Sequence, residues 1–213
     1  MTPLVIAHRG ACRRAPENTL EAFELATEEG ADYIEFDVRA KDGELVVCHD
    51  PEPPEGVPTL DEVLSALGGR IGLCVELKEE RVAEPALRAL REHEVCADSL
   101  IVVSFLAGEL DTMLSLWPEL RTEFHLGPRP EPVAAARFWG AGFEEPAPGE
   151  RILEAQSLGL ATLVFTVNGP DRMRELAALG VSGIFSDRPG LLRETLASLP
   201  AQEPLRSQEE TSR

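Results

Sequence analysis

Apolar positions along the chain follow two rhythms. Short runs rich in Val, Ile, Leu and Phe alternate with longer stretches in which apolar residues recur at helical spacing, the signature of repeated βαβ units and a parallel sheet. The short runs predict eight strands over residues 4–8, 33–38, 73–78, 100–105, 121–126, 138–143, 162–167 and 183–186. A further run at 45–48 follows Lys41-Asp42-Gly43, where Asp-Gly favours a hairpin back onto the second strand. Helices are predicted over 19–29, 60–67, 80–92, 107–116, 150–158, 170–178 and 189–199, with Thr59 as an N-cap and Gly30, Gly159 and Gly180 closing helix ends. Eight β/α units of this kind predict a (β/α)8 TIM barrel carrying one short added hairpin strand after strand 2. Residues 127–148 are the weakest stretch. Their proline-rich sequence leaves little room for a full helix, so one barrel helix is expected to be short or missing there.

The 213 residues suffice for one well-buried domain, expected over 1–199. Residues 200–213 are polar without an apolar period and are expected to form a disordered tail. No apolar run approaches the ~20 residues of a membrane helix, so no stable membrane insertion is expected. The opening MTPLVIAHRG has an apolar run too short for a secretion signal and reads as the first strand, which points to a cytoplasmic protein. Cys12, Cys48, Cys74 and Cys96 have no C-x-x-C spacing and read as reduced thiols. A net charge of -18 repels nucleic acid phosphates and anionic membranes. An anionic substrate must therefore meet a local cationic site.

The candidate chemistry lies where a parallel barrel places its catalytic side chains, at the carboxyl ends of strands. Strand one ends in His8-Arg9-Gly10, strand two holds Glu35-Phe36-Asp37, the hairpin ends in His49-Asp50, and strand three ends in Glu76-Leu77-Lys78. Side chains alternate along a strand, so if Ile34, Phe36, Val75 and Leu77 face the helices, then Glu35, Asp37, Glu76 and Lys78 project into the barrel mouth. Such E-x-D and E-x-K patterns on a hairpin would be a solvated face. On strands buried on both sides they need partners. Three converging carboxylates repel unless a cation lies between them, and oxygen ligands suit Mg²⁺ or Ca²⁺ better than zinc. His8 and His49 flank this cluster as a candidate acid and base pair. Arg9 and Lys78 supply cations for a phosphodiester anion; Lys78 is one of only two lysines in the chain. His93, in a charged helical stretch, reads as a solvated surface residue. His125, ending strand five, could reach the mouth, and it and Asp50 are left without a role.

These residues resemble the glycerophosphodiester phosphodiesterase family, which uses a β/α barrel. The match runs in order through His8-Arg9-Gly10, Pro16-Glu17-Asn18-Thr19, Glu35-Phe36-Asp37, Lys41-Asp42-Gly43, His49-Asp50, Pro58-Thr59-Leu60-Asp61-Glu62, Val75-Glu76-Leu77-Lys78, Ser104-Phe105 and Thr166-Val167-Asn168. The resemblance implies that Glu35, Asp37 and Glu76 bind a divalent metal, that His8 and His49 are the acid and base, and that Arg9 and Lys78 hold the phosphate. It implies hydrolysis of glycerophosphodiesters to sn-glycerol 3-phosphate and an alcohol, through attack by the neighbouring glycerol hydroxyl and a cyclic phosphate as proposed for relatives. Two departures stand out. Only Pro51 to Val57 separates His49-Asp50 from Pro58-Thr59-Leu60, where many members insert a small subdomain, and Phe165 stands where the family often has Trp before the T-V-N run. Alternatives are a lysophospholipase D-like phosphodiesterase on single-chain lipids, a non-catalytic phosphoester-binding barrel, and a metal-dependent sugar isomerase, the last disfavoured because it leaves Arg9 and Lys78 unexplained.

Overall fold

The computed structural model describes residues 2–127 and 132–199. The tail expected at 200–213 lies outside the described residues. Strands β1 (Leu4–Ala7), β2 (Tyr33–Lys41), β4 (Gly72–Leu77), β5 (Leu100–Ser104), β6 (Arg121–Leu126), β7 (Gly140–Glu144), β8 (Ala161–Phe165) and β9 (Gly183–Ser186) form a parallel ring, closed by pairing of β1 with both β9 and β2. Strand β3 (Glu44–Val47) lies outside the ring, antiparallel to the end of β2, with Lys41 opposite Glu44. The turn joining them has Asp42 and Gly43 at φ of 51° and 90°, the left-handed pair that an Asp-Gly hairpin supplies.

Helices α1 (Leu20–Glu28), α2 (Leu60–Leu67), α3 (Ala83–Glu92), α4 (Ala107–Leu116), α5 (Gly149–Ser157), α6 (Pro170–Ala178) and α7 (Pro189–Ala197) wrap the ring. The Thr59 hydroxyl accepts from the Glu62 amide while the Glu62 carboxylate accepts from the Thr59 amide, a reciprocal cap that starts α2 where the sequence predicts. Helix α3 begins three residues later than predicted. Arg81 has φ 70°, outside the helical region, and the amides of Arg81 and Ala83 each donate at 2.8 Å to the buried carboxylate of Glu109. Between β6 and β7 the described residues carry only a 3-10 turn, Pro132–Ala135, as the proline-rich sequence suggests. The Phe138 amide donates to the Ala135 carbonyl, which closes that turn and delays the strand to Gly140.

Ile34, Phe36, Val75 and Leu77 pack outward with Phe23, Val63 and Leu87 of the helix layer. Each such buried side chain contributes roughly 1.5–3 kcal/mol relative to exposure. Inside the ring a smaller apolar layer, including Ile6, Ile101, Leu163 and Phe185, fills the barrel. This division fixes the opposite faces of β2 and β4, so Glu35, Asp37 and Glu76 turn inward. Among the described residues no helix is long and apolar enough to cross a membrane.

Candidate active site

Glu35, Asp37 and Glu76 are buried, and each offers one carboxylate oxygen within 4.8 Å of the others. Their convergence follows from register, since Asp37 lies directly opposite Glu76 in the β2–β4 ladder. Burial, and then the charges of Asp37 and Glu76, hold the Glu35 carboxyl well above its ordinary range. Burial works in the same direction on Asp37, but Lys78, Arg9 and an Asn18 hydrogen bond outweigh it and keep that group low. Glu35 Oε1 and Asp37 Oδ1 are buried without a hydrogen-bond partner. Three oxygen donors, mutually repelling and incompletely satisfied, form a cradle that fits a hard divalent cation.

The cations predicted for phosphate line this cradle. Lys78 Nζ lies 2.8 Å from Glu76 Oε1 and 3.3 Å from Asp37 Oδ1, the second an ion pair without hydrogen-bond alignment. Burial pulls the Lys78 ammonium down, yet Glu76 and Asp37 outweigh it and raise the group, so it stays charged. The Arg9 amide donates to Glu35 Oε2 at 2.8 Å, and the guanidinium reaches Asp37 Oδ2 at 3.1 Å and Glu17 Oε1 at 3.0 Å. Asn18, at φ 57°, donates its amide to Asp37 Oδ2 at 2.8 Å and accepts from the Asp37 backbone at 3.3 Å.

The histidines arrive from two sides. His8 follows β1, and its Nδ1 lies 2.8 Å from Asp187 Oδ1. Asp187 follows β9, and its other oxygen accepts from Asn168 Nδ2 at 2.7 Å and pairs with Arg13 at 3.2 Å. Burial would raise the Asp187 carboxyl, but hydrogen bonds from His8, Cys12 and Asn168 carry it far below its ordinary value. His49 comes from the hairpin, where the Cys48 amide donates to the Asp37 carbonyl and Arg39 Nε donates to the His49 carbonyl, both at 2.9 Å. Its side chain is 39% exposed and its charge bears on Asp37. Asp50 lies 3.6 Å from His49 Nδ1. The short segment after it borders an open cavity of about 230 Å³ lined by Asn18, His49 and Pro58 among others.

All seven predicted residues therefore gather at one end of the barrel. His125 faces inward as well, but lies buried beneath the mouth. It is packed against Phe105 and Phe165, with ring centroids 4.9 and 4.3 Å away, and its Nδ1 is 2.9 Å from Glu123 Oε1. Burial opposes its charge, and Glu123 outweighs that to raise its pKa above 6.5. His93 stays at the surface, 3.1 Å from Asp61. Asp187 and Glu123 were not singled out by the sequence patterns, and Asn18 and Asn168 entered only as members of motifs in the family resemblance, without a role of their own. Asp187 had one available signal, its place directly after a predicted strand end.

Residues 8–68 and 51–191 match the model of the glycerophosphoryl diester phosphodiesterase family. A glycerophosphodiester phosphodiesterase of Caldanaerobacter subterraneus subsp. tengcongensis is 29% identical over 93% of this chain and 98% of its own length. A solved glycerophosphodiester phosphodiesterase from Agrobacterium tumefaciens is 30% identical, with a TM-score of 0.75 over 91% of this chain and 100% of that one. An Oleispira antarctica phosphodiesterase, solved with the product sn-glycerol-3-phosphate, is 26% identical, with a TM-score of 0.82 over 92% of this chain and 98% of that one. The family model across residues 8–191, the shared barrel and the near-complete coverage of these relatives agree: the chain belongs to the glycerophosphoryl diester phosphodiesterase family of enzymes.

Proposed function

We propose that residues 1–199 form one catalytic domain that hydrolyses small glycerophosphodiesters to sn-glycerol 3-phosphate and an alcohol. The carrying observation is the buried trio Glu35, Asp37 and Glu76, flanked by Arg9, Lys78, His8 and His49 in a chain of this family. Glu35, Asp37 and Glu76 would hold a divalent cation, Mg²⁺ or Ca²⁺, which would supply Lewis-acid stabilisation of the phosphoryl oxygens. Arg9 and Lys78 bind the anionic oxygens and offset the charge that grows on them in the transition state. With Nδ1 tied to Asp187, His8 keeps Nε2 for proton transfer, and the carboxylate steadies the imidazolium it becomes. His49 is the opposite member of the pair: one histidine takes the proton of the attacking glycerol hydroxyl, and the other gives a proton to the departing alkoxide. The strongly acidic chain argues against nucleic acid as substrate. The four free cysteines favour a cytoplasmic location.

A second reading, action on single-chain lipids, is favoured by Phe105. This ring is 42% exposed at the mouth and packs edge-on against Phe165. The test is release of glycerol 3-phosphate from glycerophosphocholine and glycerophosphoethanolamine by metal-stripped protein, with Mg²⁺ or Ca²⁺ restored. Metal-dependent release is expected, falling by about 10²–10⁴ in His8→Ala and by at least as much in Glu76→Ala. Release only from lysolipids would replace the first reading with the second, and no release from either would leave a binding barrel.

A further inference from the structure

A second cluster of metal-ligating atoms lies beside the acid trio and differs from it in kind. A ring nitrogen of His8, Cys12 Sγ and a carboxylate oxygen of Asp187 all lie within 4.8 Å of one another, and His8 turns Nδ1 towards Asp187. We infer that these three residues form a separate site for a borderline-soft divalent cation such as Zn²⁺, and that filling it withdraws His8 from proton transfer.

The fold builds this cluster from three separately anchored pieces. His8 and Asp187 continue adjacent strands, paired so that Ala7 lies opposite Ser186. Cys12 sits in the following turn, held by hydrogen bonds from the Ala11 amide to the Ala22 carbonyl and from the Arg14 amide to the Ala11 carbonyl, both 2.9 Å. Tetrahedral zinc needs nitrogen, sulfur and oxygen donors roughly 3.3–3.8 Å apart, so the 2.8 Å between His8 Nδ1 and Asp187 Oδ1 must open by about half an ångström as the ion replaces the hydrogen between them. Asp187 is already oriented as a ligand should be. Its Oδ2 is engaged by Asn168 and Arg13, which leaves Oδ1 facing the imidazole and fixes the carboxylate from behind. All three side chains are half-buried rather than sealed, with His8 18% and Asp187 13% exposed, so an ion can enter.

Ligand softness separates the two sites. Glu35, Asp37 and Glu76 present oxygen alone and select hard ions, whereas one nitrogen, one sulfur and one oxygen select zinc over magnesium or calcium. Binding replaces the thiol proton of Cys12, which leaves to solvent as the Zn–S bond forms. The neutral imidazole must give its Nδ1 lone pair to the ion, so its proton moves through solvent from Nδ1 to Nε2. Nε2 then carries a hydrogen and cannot accept a proton, and as part of a neutral metal-bound imidazole it is a far weaker donor than an imidazolium; it has also lost the Asp187 hydrogen bond that supported it. This last consequence rests on the acid–base role proposed for His8; the site itself does not.

The experiment uses the full chain saturated with Mg²⁺ and titrated with Co²⁺ as a spectroscopic stand-in for zinc. A thiolate-to-cobalt charge-transfer band in the near ultraviolet is expected at one Co²⁺ per chain, bleached by added Zn²⁺. It should persist in Cys96→Ala and vanish in Cys12→Ala and in the near-isosteric Cys12→Ser, each checked for an unchanged thermal melt. No band in the native chain, or a band retained in both Cys12 variants, overturns the site. Zinc should inhibit Mg²⁺-supported release of glycerol 3-phosphate with an inhibition constant at least tenfold lower in the native chain than in Cys12→Ala. A band without that difference overturns the effect on His8 while leaving the site. A chain with no turnover overturns the hydrolase reading and still reports the site through its absorption.

Discussion

Asp187 collects a histidine ring nitrogen, a side-chain amide, a guanidinium and a thiol on one carboxylate. Its Asn168 partner in turn accepts from the Ser186 hydroxyl and the Asp187 backbone, so the carboxylate is fixed at both ends. Asp187→Asn keeps the volume but can present a donor to His8 Nδ1, favouring the tautomer with hydrogen on Nε2. We expect kcat to fall by about 10²–10⁴ with KM within a few-fold, because the phosphate contacts proposed for Arg9 and Lys78 are untouched. A pH profile of kcat separates this from a packing defect, since a packing defect would not change its shape; an unaltered kcat would remove Asp187 from the machinery. The residues proposed for the chemistry were legible in sequence because His-Arg, E-x-D and E-x-K at strand ends are unusual in buried strands. Asp187 was not, because it touches His8 across 179 positions and its place after a strand end is the one local mark it carries.

At the scale of elements, the strand β7 is shaped by what its neighbour carries. Glu123 and His125 both point inward from β6, and Gly140 and Gly142 lie opposite Glu123 and His125 in the ladder. A Cβ at Gly142 would stand 1.7 Å from Glu123 Oε1 and 2.5 Å from His125 Nδ1, so the glycine exists to admit that buried pair. Gly142→Ala is expected to destabilise the fold by about 2–4 kcal/mol, as overpacking and disruption of a buried ion pair combine. Chemical denaturation measures this, and Glu123→Ala in the same chain should recover part of the loss; a wild-type midpoint for Gly142→Ala alone would show that the pair shifts freely. The strands, the hairpin and the capped helix α2 were readable because their signals are local: alternation, Asp-Gly, and a Thr and Glu three apart. The start of α3 was not, because its cap is supplied by Glu109 from the next helix. The β6–β7 connection has no period to read, and only its shortness could be anticipated.

For the whole molecule, 38 acidic against 20 basic residues set a repulsive background, and the acid trio concentrates it where water is scarce. Glu35 is raised above its ordinary 4.5, so the folded chain holds that proton more tightly than the unfolded chain does. As pH climbs from 4.5 towards the folded value, the unfolded state gives up its proton first and the folded state loses stability. His125, raised above 6.5 once Glu123 outweighs its burial, acts in the same direction: its stabilisation is present below 6.5 and fades as pH rises. Asp37 and Asp187 are depressed below 3.8, so what they contribute is lost only in more acidic solution, beneath this range. Metal-stripped protein should therefore melt at lower temperature at about pH 8 than at about pH 5.5. Saturating Mg²⁺ or Ca²⁺, at ~100 times its dissociation constant, should restore roughly 5–10 °C at the higher pH. The gain should shrink on acidification, when a proton occupies Glu35 and competes with the ion. Glu35→Gln removes both the charge and the ligand, so its melting temperature should vary less with pH and respond little to metal. Scanning calorimetry of the two chains, with and without metal at both pH values, decides the matter: an equal metal-induced rise in Glu35→Gln would place the ion somewhere other than the trio.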